Sequence, residues 1–196
     1  ITERYAQDNT ACYDLGCSLG ASTLSMRHGL KEKQCELIAV DNSPSMIERC
    51  NHYIEIDNET TAVELLCADI TQLKFKPCSV VTLNFTLQFI APEERLILLS
   101  KIYSALKPGG VLILSEKICF EDTNEQNHLE ELHWDFKRAN GYSELEVSQK
   151  RSALEQVLLP DTLSTHQSRL SAAGFDHSHT WYQCFNFISL IAIKSV

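Results

Sequence analysis

Ala11-Cys12-Tyr13-Asp14-Leu15-Gly16-Cys17-Ser18-Leu19-Gly20 is the stretch that decides how this chain folds. A short apolar run enters a glycine-bearing turn, and a helix opens at Ala21. About 20 residues on, Ile38-Ala39-Val40-Asp41 reads as a second apolar strand that ends on an acid. Such a turn sets backbone N–H groups and a helix N-terminus beside a ligand that carries negative charge or a carboxylate. The acid at the end of the second strand can accept hydrogen bonds from both hydroxyls of a ribose. The pattern predicts a cradle for an adenosine derivative.

Outward from this stretch, apolar runs alternate with amphipathic ones. Strands are predicted near Ala11 to Leu15, Glu36 to Asp41, Val63 to Cys67, Val80 to Phe85 and Val111 to Glu116. Short strands separated by helix-length stretches build a parallel sheet covered on both faces. Ser43 and Pro44 read as the N-cap and first-turn residue of a helix that carries Met46, Ile47 and Cys50. Pro92-Glu93-Glu94 opens another, with Leu96, Leu99, Ile102, Tyr103 and Leu106 as its apolar stripe, and Pro108-Gly109-Gly110 stops it.

After the fifth strand the rhythm breaks. Phe120 to Leu159 is polar, helical in pattern and too long for an ordinary connection. Ser143 and Glu146 have capping-box spacing, which predicts a helix start there with Lys150 and Arg151 on its second turn. Leu129, Leu132 and Phe136 fall at helical spacing, a stripe suited to packing on the sheet or on a second copy of the chain. A short helix ending at Gly174 precedes two strand-like runs, Ser178 to Cys184 and Phe185 to Lys194. So little chain separates these two that they must pair antiparallel, because a parallel crossover needs about a dozen residues or more. The whole reads as a single domain over residues 1–196, with a helical insert at about 120–160 as a candidate lid.

Composition narrows the partners. The formal net charge is -9, whereas neutralising nucleic-acid phosphates calls for clustered Lys and Arg, so direct nucleic-acid binding is not expected. No run approaches the roughly 18 apolar residues of a membrane span, and no signal peptide is visible, so the expectation is a cytoplasmic chain with no membrane partner. The 8 cysteines include no CxxC pair and fit neither a zinc site nor a disulfide framework. Most sit in or beside predicted strands, where a reduced thiol acts as a small apolar residue. His177-Ser178-His179 lacks a nearby acid or third ligand and reads as edge strand, so no metal is expected.

Gly16-Cys17-Ser18-Leu19-Gly20 also matches the G-x-S-x-G elbow of hydrolases. An elbow strand sits in mid-sheet with several strands before it, and here only about one fits upstream. That reading also leaves Asp41 unexplained. A dinucleotide fingerprint needs a second glycine where this chain has Ser18, which disfavours a pyrophosphate ligand. The cradle gains weight from Asp41, from Cys67-Ala68-Asp69-Ile70 and from Leu83-Asn84-Phe85-Thr86-Leu87-Gln88-Phe89. All follow successive strands at their carboxyl ends, where open α/β sheets bind ligands.

With these motifs in place the chain resembles the class I methyltransferase fold: three layers, Rossmann-like, with a mostly parallel seven-stranded sheet whose last strand is antiparallel. More narrowly it resembles the carboxy-S-adenosyl-methionine synthases. The resemblance rests on Tyr13 to Ser18, Asp41-Asn42-Ser43, Leu83 to Phe89, Phe136 to Glu146 and Gln149-Lys150-Arg151-Ser152. It implies binding of S-adenosyl-L-methionine, or its carboxylated form, as substrate or product. A carboxyl group derived from prephenate would be joined to the methyl carbon, releasing phenylpyruvate and supplying the oxyacetic acid modification of tRNA wobble uridine. The sulfonium can stabilise an adjacent carbanion that attacks nascent carbon dioxide, so the protein must mainly exclude water and hold charge in place.

Carried onto this sequence, the resemblance implies that Gly16, Cys17 and Ser18 line the methionine portion. Asp41 would hold the ribose with Asn42 beside it, Asp69 and Ile70 would edge the adenine, and Asn84 would face the methionine. Arg151 would clamp the added carboxylate as the catalytic residue, a role suited to a planar guanidinium and not to Lys150. By residue type alone, a Lys-Arg pair on an exposed helical face is ordinarily solvated. A homodimer is also implied. The family has an N-terminal segment with a ligand-contacting Tyr that nothing here matches, so the chain is expected to be part of a longer protein. Two other functions fit the same cradle: an ordinary methyltransferase acting on a small molecule, and a non-catalytic subunit that binds S-adenosyl-L-methionine in a tRNA-modifying assembly.

Overall fold

The computed structural model of the chain describes residues 1–143, 145–146 and 157–195. Its strands are β1 (Ala11–Leu15), β2 (Glu36–Asp41), β3 (Val63–Cys67), β4 (Cys78–Asn84), β5 (Leu106–Lys117), β6 (His177–Cys184) and β7 (Phe187–Ile193). The described helices are α1 (Thr2–Tyr5), α2 (Ala21–Gly29), α3 (Pro44–Ile56), α4 (Pro92–Ala105), α5 (Thr123–Ala139) and α6 (Leu163–Ala173). The strands form one 7-stranded sheet in the order β3-β2-β1-β4-β5-β7-β6. β1 to β5 run parallel, and β7 enters antiparallel between β5 and β6. The order reverses between β1 and β4, which opens a crevice at their carboxyl ends.

The period of 2 along each strand divides its side chains between two cores. Tyr13, Leu15, Ile38, Val40, Val81, Leu83, Leu112 and Leu114 face one side, under Leu98, Leu99 and Ile102 of α4 and Leu170 of α6. Cys12, Leu37, Val80 and Val111 face the other, with Met26 of α2 and Ala6. This three-layer arrangement is the class I methyltransferase fold.

Three local expectations change. Ser43 precedes α3 with Pro44 in its first turn, yet its side chain caps no helix N–H and instead bonds Ser45 Oγ at 3.0 Å. In α4 the buried stripe is Arg95, Leu98, Leu99 and Ile102, while Leu96 is exposed, because the helix rolls to bury a guanidinium. That helix ends at Ala105, before Pro108-Gly109-Gly110. The glycine pair lies inside β5 and begins its contact with the β7 side: Gly109 N–H donates to Lys194 O at 2.8 Å, and Gly110 O accepts from Lys194 N–H at 2.9 Å.

The insert opens with α5, whose N-cap Asp122 accepts from the Asn124 and Glu125 amides. Its Leu132 and Phe136 remain exposed, and it meets the turn end of the β6–β7 hairpin through rings, His133 on Phe187 and Phe136 on Phe185. The capping box forms: Ser143 N–H donates to Glu146 at 2.8 Å, and Glu146 N–H donates back to Ser143 Oγ at 3.3 Å. All eight cysteines are free thiols. His177 and His179 stack on each other, and no cluster able to hold a metal occurs among the described residues. No described helix is long and apolar enough to cross a membrane.

Candidate functional site

A cavity of about 510 Å³ opens at the carboxyl ends of β1 and β4, where the strand order reverses. Gly16, Ser18, Asp41, Asn42, Asp69, Ile70 and Asn84, drawn from four separate strand ends, all line it. Ala68, Phe85, Thr86, Phe89 and Ile90 complete its wall. Cys17 is placed beneath the turn, buried against Ala39 and Cys50. Arg151 lies outside the described residues.

The turn is shaped by glycine where glycine is needed. Gly16 has φ +76°, and a Cβ there would overlap the Thr86 side chain. Its amide and that of Cys17 donate to Val40 O at 2.8 and 3.0 Å, and the Ser18 amide donates to Asp41 Oδ2 at 2.9 Å. These N–H groups therefore hold the turn onto β2 instead of pointing at a ligand. What the turn gives a ligand is close approach of backbone. Ser18 and Phe85 both take left-handed φ without being glycine, at 49° and 58°, and both line the cavity. Strain of this kind is held only where the surroundings impose it.

Asp41 is oriented from both sides, Oδ2 by the Ser18 amide and Oδ1 by the Ser43 amide, each at 2.9 Å. Each oxygen retains a lone pair for a ligand hydroxyl. Asp69 receives both Thr71 donors on Oδ1, the amide at 2.8 Å and the hydroxyl at 2.9 Å. Asn84 donates to Ser22 Oγ at 2.8 Å and accepts from Ser115 Oγ at 2.8 Å, and Ser115 also bonds Ser189. A chain of hydroxyls thereby fixes the amide plane across the crevice.

Beneath the wall lies Glu116, fully buried, whose carboxyl accepts the Leu87 amide at 2.9 Å and the Gln88 amide at 3.0 Å. Burial pushes its pKa up to about 8. Asp14 in β1 is also buried, and desolvation raises its pKa although Thr23 and Thr82 donate to it. Neither acid reaches the cavity surface.

Residue patterning marked the strand ends, but not which residues of Leu83 to Phe89 would face inward, nor the part played by Ile90. A turn tract with apolar residues on a fold whose ligands sit at strand ends is the signal that could have found them.

Comparison with known proteins follows the same lines. A family described as a methyltransferase domain matches residues 13–110. A carboxy-S-adenosyl-L-methionine synthase of Marinobacter nauticus is 58% identical over 195 residues, spanning 100% of this chain and 78% of that protein. One from Shewanella loihica is 60% identical over 194 residues, spanning 99% and 80%. Among solved structures, human N-acetylserotonin methyltransferase in complex with S-adenosylmethionine superposes with TM-score 0.64 at 17% identity, over 95% of this chain and 48% of that one. A cyclopropane synthase of Mycobacterium tuberculosis superposes with TM-score 0.65 at 13% identity, over 91% and 60%. Likeness at those identities is likeness of fold.

Proposed function

The chain belongs to the carboxy-S-adenosyl-L-methionine synthase family of enzymes, and from that premise we propose that its cavity takes S-adenosyl-L-methionine as substrate and carries out its carboxylation. The observation that carries this reading is the convergence of Asp41 and Asp69 with the glycine turn around one cavity. Among the described residues no Lys or Arg lines it. Described walls that carry carboxylates and no cation favour, on their side of the cavity, a ligand bearing positive charge, hydroxyls and an amino group over a phosphorylated one. Asp41 accepts from the ribose hydroxyls, Asp69 accepts from the adenine amino group beside Ile70, and Asn84 faces the methionine end with Gly16 and Ser18.

The second substrate is prephenate. Its loss of carbon dioxide and hydroxide leaves phenylpyruvate, the hydroxide takes up one proton from the methyl group, and the methyl carbon receives the carboxyl group. Arg151 holds that new carboxylate by a bidentate pair. The product serves tRNA wobble-uridine modification in the cytoplasm, made by an enzyme that itself does not grip tRNA, in keeping with its net charge of -9. The exposed Leu132 and Phe136 of α5 support a homodimer.

Incubation of the protein with S-adenosyl-L-methionine and prephenate, followed by mass spectrometry, tests the reading. A ligand heavier by one carbon dioxide, with phenylpyruvate in equal amount, is the expected result. Retention of both substrates unchanged overturns it, and a methylated acceptor in its place supports the ordinary methyltransferase.

A further inference from the structure

The turn that forms one wall of the cavity is held from behind by a buried carboxyl group and a buried guanidinium. This 3-10 turn, Leu87–Phe89, follows β4, and its Phe89 and the next residue, Ile90, line the cavity. The amides of Leu87 and Gln88 donate to the carboxyl of Glu116 on β5. The carbonyls on the opposite side are taken by Arg95 of α4, with Nε to Ile90 O at 2.9 Å and Nη2 to Gln88 O at 3.3 Å. Arg95 is 1% exposed and Glu116 0%. The same Nη2 also donates to Leu159 O at 2.9 Å, and Nη1 donates to Asp161 Oδ2 at 2.5 Å, where the chain returns from the insert.

Burying a guanidinium and a carboxyl group is a poor way to gain stability, since apolar groups of the same volume do as well or better. Their geometric effect is different in kind. An acceptor and a donor fork fix successive peptide groups of one short turn, which has no ladder of its own and whose fully buried Leu87 anchors one side chain without fixing the peptide planes. We propose that Arg95 and Glu116 are positioning residues for the carboxyl transfer, clamping the peptide groups of Leu87 to Ile90 so that Phe89 and Ile90 keep the cavity wall in its reactive shape. Neither touches the substrates. The activity readout below rests on the function proposed above, whereas the exchange readout does not.

The test compares Arg95→Lys and Glu116→Gln with a matched control, Arg27→Lys. Arg27 is likewise buried, donates to the carbonyls of Thr61 and Ile54, and pairs with Asp57, but it lies away from the cavity. Lysine cannot reproduce the fork, and the glutamine amide turns a donor toward a backbone donor. Both cavity-side variants are expected to lose about tenfold or more in kcat, since misplacement of about 1 Å suffices for such a loss. The dissociation constant of S-adenosylhomocysteine should stay within about threefold, because Asp41 and the glycine turn are untouched. Deuterium exchange of the Leu87 and Gln88 amides should quicken by about tenfold or more in both. The control should lose thermal stability and keep its kcat.

Overturning results are a kcat within about threefold of the parent in folded Glu116→Gln, or a control that loses as much kcat as Arg95→Lys. If Arg95→Lys does not fold, Glu116→Gln decides alone. If the parent makes no carboxylated product, the proposed reaction fails, and unchanged exchange at Leu87 and Gln88 in the variants then refutes the clamp separately.

Discussion

Thr23 Oγ1 on the first turn of α2 donates to Asp14 Oδ2 near the carboxyl end of β1 at 2.6 Å. Thr82 of β4 holds the other oxygen at 2.8 Å. All three residues are buried, so the acid links the helix after the glycine turn to the two strands that open the crevice. Removing one donor leaves a buried oxygen unsatisfied. Thr23→Val should therefore lower unfolding stability by about 1–3 kcal/mol, with the larger loss at the higher pH, where more of Asp14 is ionised. Urea titration at two pH values measures this, and a loss below about 0.5 kcal/mol at both would contradict it.

Glu116 and His166 pull stability in opposite directions with pH. Burial raises Glu116 from 4.5 to about 8, so the folded state holds a proton that the unfolded state has shed, and stability falls as pH climbs through that window. His166, buried on α6, is lowered from 6.5 to about 4 by burial; there the unfolded state binds the extra proton, and stability rises with pH. The two oppose each other between 4.5 and 6.5, and between 6.5 and about 8 Glu116 acts without that opposition. The melting temperature should decline across this upper interval, and Glu116→Gln should flatten the decline. A profile of equal slope in both proteins would remove Glu116 as its source.

Much of this was legible beforehand. β1, β2 and β3 begin and end at the residues read from apolar runs, and α2, α3 and α4 start at Ala21, Pro44 and Pro92 as their local signals require. Those features depend on neighbours within a few residues. Arg95 does not: its carboxylate partner Asp161 lies 66 residues away, and no periodicity reports that a charged residue on a helical stripe is buried. The mistaken placement of Leu96 in the core has the same origin, since the roll of α4 is set by that distant pair. In the candidate site the strand ends were readable and the spent amides of Gly16 and Cys17 were not, because Val40 O is met only once β1 and β2 are aligned.

Gly16→Ala should damage ligand binding through two separate effects. The backbone at φ +76° is strained for any residue with a Cβ, and that atom would overlap Thr86. Strain of this kind costs about 1–3 kcal/mol, which would weaken S-adenosylhomocysteine binding on the order of tenfold or more if the turn shifts to relieve it. Thr86→Ala in the same chain should recover only part of the loss, because it relieves the overlap and leaves the dihedral. Calorimetric titration of both variants would decide; full recovery in the double variant would mean that overlap alone matters.

Asp41→Asn exchanges one carboxylate oxygen for an NH2 while both oxygens are already engaged by backbone donors, the Ser18 and Ser43 amides at 2.9 Å. Whichever way the new amide turns, it faces an N–H with an N–H and loses one of these bonds. It also loses half of the acceptor capacity that a ribose diol would use. Hydrogen bonds to a charged acceptor contribute about 1.5–3 kcal/mol, so affinity for S-adenosylhomocysteine should fall roughly 10- to 100-fold. Asn42→Ala is the comparison: it sits beside Asp41 on the cavity wall without a hydrogen bond to the turn, and its effect should be several-fold smaller. Equal losses in the two variants would show that ribose recognition is spread along the wall and is not concentrated on the acid at the end of β2.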